Sequence, residues 1–92
     1  MDYSKFVKVI PAEKWETLAD KLIDFILTSK SDEKMPSQLA NAVLYHWQHD
    51  ALKSETGIAL MLEAAVLLEP EKTFNALNEL QMAKVAEQIK EA

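Results

Sequence analysis

The chain of 92 residues contains no cysteine and only one glycine, Gly57. Without cysteine it cannot form disulfides, thiolate zinc sites or iron–sulfur clusters. Without several glycines it cannot build the loops that cradle phosphates, because those loops need backbone amides close to the ligand. These absences exclude thiol chemistry, P-loops and dinucleotide-binding fingerprints from this chain.

Arginine is also missing, since all ten basic residues are lysines. The fifteen acidic residues give the chain a formal net charge of -5. Binding to nucleic acid relies on clustered cations, and arginine supplies the bidentate contacts to phosphate and guanine. This composition argues against nucleic acid as a partner.

No apolar segment is long enough to cross a membrane. The longest, residues 58–68, is interrupted only by Glu63 and is much shorter than the ~20 residues that a bilayer requires. The N-terminus has neither a long apolar stretch nor a small-residue cleavage site. We therefore expect no membrane association and a cytoplasmic location.

The hydrophobic pattern predicts an all-α fold. Apolar residues make up 49% of the chain, enough for a core, and they recur at helical spacing. The pattern predicts four helices: Pro11 to about Ser29, Pro36 to about Lys53, residues 56–69, and a last one that begins at Pro70. We expect the last helix to be continuous, because no glycine or proline marks a break, with a kink near Gln81 as the alternative.

The predicted helices are expected to form a single helical domain over residues 1–92, a small bundle of four helices. Residues 1–10 are expected to be an extended or irregular N-terminal arm. The third predicted helix is apolar almost all round, so it cannot present a broad side to water. We expect it at the centre, enclosed by its own neighbours or by a second chain.

The side chains best suited to chemistry lie close together in the second predicted helix. His46 is one helical turn from both His49 and Asp50, so the three can share one side of the helix. Two imidazoles and a carboxylate suit a divalent transition metal, although zinc sites usually take three or four protein ligands. Alternatively these residues have only a structural role: His46 donates a hydrogen bond to Asp50, and His49 lies at the surface.

Glu63 is the second candidate for chemistry. A carboxylate buried without a partner is suited to general acid–base catalysis, because burial disfavours its charged form. Alternatively, Glu63 marks the one strip of its helix that reaches water, since Thr56 and Pro70 lie one heptad away on either side. A metal-binding or acid–base enzyme that uses His46, His49, Asp50 and Glu63 is therefore the alternative function.

The leading hypothesis is a small acidic interaction module that self-associates and has no evident catalytic activity. Burying one Leu, Met or Val side chain is worth ~1.5–3 kcal/mol, so apolar side chains left exposed would favour association. The default geometry is a twofold homodimer, and a different protein as partner is a further alternative. No cofactor is expected apart from the metal of the enzyme alternative. The predicted interface residues lie on the third helix: Ile58, Met61, Leu62 and Leu68.

Overall fold

The computed structural model describes residues 3–29, 37–49 and 54–92. These residues form helices and no β-strand, which confirms the predicted all-α fold. The predicted count of four helices is wrong, because the described part of the chain contains six α-helices. In chain order the elements are α1 (Ser4–Val7), a 3₁₀ turn (Ala12–Lys14), α2 (Trp15–Thr28), α3 (Ser37–Gln48), α4 (Glu55–Leu68), α5 (Pro70–Glu79) and α6 (Ala83–Glu91).

Residues 3–10 do not form the extended or irregular arm that was predicted for residues 1–10, of which residues 1 and 2 lie outside the described residues. The amides of Phe6 and Val7 donate to the Tyr3 carbonyl at 3.0 and 3.3 Å, which closes the single turn of α1. Phe6, Val7 and Ile10 are buried, and α1 packs against α4 and α6. So short a helix is stabilised by this packing rather than by its own propensity.

Helix α2 begins later than predicted. Pro11 has an extended backbone with ψ of 134°, so helical turns begin at Ala12 as a 3₁₀ segment and continue as α-helix from Trp15. The Trp15 indole N–H donates to the Ile10 carbonyl at 3.0 Å, which satisfies a backbone acceptor in the preceding turn. Helix α2 packs against α4 and α5.

Helix α4 lies at the centre of the described structure, in agreement with the position predicted for the apolar segment. It packs against α1, α2, α3 and α5, so the chain's own helices enclose it. At its start, the Ser54 Oγ accepts a hydrogen bond from the Gly57 amide at 3.0 Å and caps the helix. Neither α4 nor any other helix in the described ranges is long and apolar enough to span a membrane.

The last predicted helix is two helices, so the expectation of a continuous helix is wrong. The break falls at Gln81, which has φ of +63°, in the left-handed region. The Gln81 amide donates to the Asn78 carbonyl at 3.0 Å, and the Met82 amide donates to the Leu77 carbonyl at 2.8 Å. This pair of bonds is a Schellman C-cap, in which glycine usually occupies the left-handed position. The alternative, a kink near Gln81, gave the position of the break correctly, although glutamine stands where glycine usually marks such a cap.

Candidate functional site

Among the described residues, helix α3 packs against fewer helices than the other helices of ten or more residues do. Within the described part of the chain it packs against α4 alone. Val43 faces the core and is buried, whereas its neighbours Leu44 and Tyr45 are 45% and 57% exposed. Large apolar side chains left open to water on a helix supported from one side are typical of an interaction surface.

The outward side of α3 carries no charge. Its exposed residues recur at helical spacing and define the outer face of α3: Gln38, Asn41, Leu44, Tyr45 and Gln48. Residues 37–48 contain no Asp, Glu, Lys or Arg, whereas each of the other five α-helices contains charged residues. The outer face of α3 thus presents two large side chains with apolar surface, Leu44 and Tyr45, among the side-chain amides of Gln and Asn residues.

An aromatic group lies at the C-terminal end of α3. The His49 ring stacks on Tyr45, with ring centroids 4.1 Å apart and planes 27° apart. The His49 Nδ1 lies 2.8 Å from the Tyr45 carbonyl oxygen. Because a carbonyl oxygen only accepts, this nitrogen carries a proton, and in the neutral ring Nε2 presents a lone pair. The His46 ring meets Tyr45 edge to face, with centroids 5.7 Å apart.

The predicted metal ligands are His46, His49 and Asp50, of which Asp50 lies outside the described residues. The His46 Nδ1 is buried and has no hydrogen-bond partner among residues 3–29, 37–49 and 54–92. The same residues contain no group of three or more His, Cys, Asp or Glu side chains that could hold a metal ion. The metal site therefore stays a prediction.

Glu63 lies on the partly exposed side of α4. It is half-buried, while Thr56 and Leu67, on the same side of the helix, are exposed. The strip that reaches water is therefore present. Burial, and to a smaller extent the negative charge of Glu63, raises the pKa of Tyr3 above its ordinary value. This electrostatic interaction connects Glu63 to the residue that precedes α1.

The predicted interface residues lie inside the chain itself. Ile58, Met61 and Leu62 are 0% exposed and Leu68 is 4% exposed, because four other helices cover α4. They are not available to a second molecule, so we no longer assign them to an interface. The exposure of Leu44 was not predicted from the sequence, because an apolar pattern does not show which side of a helix has a neighbour.

A groove of about 410 Å³ lies where the N-terminal segment meets the turn between α5 and α6. Two lysines, Lys14 and Lys84, line it, and no carboxylate among the described residues does. The groove thus combines positive charge with apolar surface. Its apolar lining comes from both segments: Val9, Pro11, Met82 and Val85.

No protein-family model matches this chain, and no curated protein or solved structure matches it either. What the chain can do is therefore inferred from its own surface.

Proposed function

We propose that this chain is a small acidic helical interaction module that self-associates through the outer face of α3. The observation that carries the proposal is the exposure of Leu44 and Tyr45 on a helix that has no charged side chain. Apolar side chains on a helix supported from one side are stabilised when a second surface removes them from water.

A second copy of this chain is the partner that the charge distribution favours. A twofold interface places a patch opposite itself, so a charged patch would meet its own charge. The net charge of -5 makes most of the surface repel a second copy, whereas the outer face of α3 is neutral. The amides of Gln38, Asn41 and Gln48 each donate and accept, so each can pair with the same residues of the other copy.

The exposed area sets the strength of this association. Full burial of a large apolar side chain is worth ~1.5–3 kcal/mol, and about half of each Leu44 and Tyr45 side chain is available. Two copies contribute four such side chains, or roughly 4 kcal/mol before the surrounding amides are counted. About 4 kcal/mol corresponds to a Kd near 1 mM, so we expect a weak dimer with a Kd of roughly 1 mM.

Sedimentation equilibrium with charged variants tests the assignment to α3. Leu44→Asp places a negative charge on both sides of a symmetric contact, so it should remain monomeric where the unmodified chain associates. Leu27→Asp is the matched control, because Leu27 is 57% exposed but lies on α2. Equal loss of association in both variants would contradict a contact through α3.

Mixing two variants tests whether the partner is a second copy. Leu44→Asp and Leu44→Lys should each be monomeric, and their equimolar mixture should associate because opposite charges then face each other. Circular dichroism shows whether both variants keep their helices. Two folded variants that stay monomeric when mixed would argue that α3 binds a different protein.

A metal-binding or acid–base enzyme using His46, His49, Asp50 and Glu63 is the second candidate. One observation favours it: the His49 Nδ1–H donates to a backbone carbonyl, an arrangement that orients metal-ligating imidazoles. A metal that binds only the folded chain must raise its Tm. Thermal unfolding with added Zn²⁺ and with a chelator therefore tests the site. The site would be excluded if neither Zn²⁺ nor the chelator changed the Tm of the unmodified chain and if His49→Ala had the same Tm as that chain.

A further inference from the structure

We infer that the groove between the N-terminal segment and the α5–α6 turn binds an acidic peptide segment of a partner protein. The peptide would place a carboxylate against the lysines and an apolar side chain against the apolar lining. The groove is formed by elements other than α3. This inference therefore does not depend on self-association.

The groove has an apolar floor and an apolar edge. Its volume of about 410 Å³ is within the range of ~300–1,000 Å³ that is usual for binding clefts. Met82 and Val85 are buried beneath it, whereas Val9 is 59% exposed. A side chain that covers Val9 would remove apolar surface of both molecules from water.

The positive charge in the groove is partly fixed in place. The Lys14 Nζ donates to the Leu80 carbonyl at 2.7 Å, across 66 residues of sequence. This bond holds the ammonium at the groove wall, and an ammonium has three N–H donors, so donors remain for a ligand. Lys84 is exposed in the first turn of α6, and that turn contains no acidic residue.

The charged residues that line the groove indicate the charge of the ligand. The chain has fifteen acidic and ten basic residues, yet among the described residues two lysines and no carboxylate line this groove. A local positive field on an otherwise negative molecule attracts anionic groups and repels cationic ones. The ligand is therefore expected to carry at least one carboxylate.

The open shape of the groove favours a peptide over a small molecule. Small-molecule sites usually enclose most of the ligand surface, whereas Val9 at the edge here remains largely exposed. Gln81 and Gln88 also line the groove. Their amides can donate to and accept from a peptide backbone, which offers the same two groups at each residue.

Titration of the ¹⁵N-labelled chain with a blocked tetrapeptide, Leu-Glu-Glu-Leu, tests the inference. Saturable shifts are expected at Val9, Lys84 and Gln88. Lys84→Glu should weaken binding about fivefold or more, because one favourable charge is replaced by a repulsive one. Lys72→Glu is the matched control, because Lys72 is exposed but lines a separate hollow between α2 and α5. The affinity of this variant for the peptide should change less than about twofold.

Four results would overturn the inference. If Leu-Lys-Lys-Leu bound as tightly as Leu-Glu-Glu-Leu, or if Lys72→Glu weakened binding as much as Lys84→Glu, the charge of the groove would have no role in binding. Tighter binding of octanoate than of the acidic peptide would make the groove a small-molecule site. Absence of shifts at the groove would remove the site altogether. Leu44→Asp should bind the peptide unchanged, so failure of self-association would be separable from failure of this inference.

Discussion

Replacing Gln81 with glycine should stabilise the chain. The left-handed backbone of Gln81, with φ of +63°, costs a residue with a Cβ about 1–2 kcal/mol, and glycine adopts it freely. Glycine loses more backbone entropy on folding, which offsets about 0.5–1 kcal/mol of this gain. A net stabilisation of about 0.5–1 kcal/mol is expected, equivalent to a rise in Tm of roughly 2–8 °C for a domain of this size.

The same substitution at Gln88 is the matched control. Gln88 is exposed within α6, where its backbone is helical, so Gln88→Gly should destabilise the chain by about 1 kcal/mol. Urea denaturation followed by circular dichroism measures both variants. Opposite signs support two helices separated at Gln81. If Gln81→Gly destabilises as much as Gln88→Gly, a continuous helix runs through residues 70–91 and our description of the turn is refuted.

Three further predictions concern the core, a helix cap and a tyrosine. Leu62→Ala should cost about 2–5 kcal/mol in urea denaturation, because Leu62 is fully buried in α4; a cost below about 1 kcal/mol would contradict its central position. Ser54→Ala should cost about 1 kcal/mol and Ser54→Asp much less, because Asp also accepts the capping bond; equal costs would argue against the cap. In Tyr45→Phe, which leaves Tyr3 as the only tyrosine, absorbance titration should show a raised Tyr3 pKa, and adding Glu63→Gln should lower it only in part, because burial is the larger cause. The contribution of the Tyr3 hydroxyl to the free energy of unfolding should be complete below the ordinary tyrosine pKa and should be lost as the pH rises through the raised pKa of the folded chain, since Tyr3 ionises first in the unfolded chain. An unshifted titration would contradict the partial burial of Tyr3.

The helical class and the central apolar helix could be predicted from the sequence for a physical reason. In residues 58–68, Glu63 is the only polar side chain, and a segment without a wet face must be covered on nearly every side. The cap at the start of α4 is local too, although the sequence offers both Ser54 and Thr56 as residues that could accept a free amide there. These features depend on local composition, which the sequence displays directly.

Other features depend on what lies opposite a residue, which no local pattern shows. Val43 and Leu44 are adjacent and equally apolar, yet only Val43 faces a neighbouring helix. Helix α1 is too short to be stable alone and exists because Phe6 packs into the core. Gln81 adopts the conformation that glycine usually marks, so the sequence left the break near Gln81 as the alternative to a continuous helix and did not decide between them.

The most direct test of self-association through α3 uses the unmodified chain. ¹⁵N correlation spectra recorded from roughly 50 µM to 3 mM, which brackets the expected Kd, report association and its location together. We expect concentration-dependent shifts at Asn41, Leu44, Tyr45 and Gln48, with the groove residues unchanged. Spectra that do not change with concentration, or changes that fall on helices other than α3, would contradict the account.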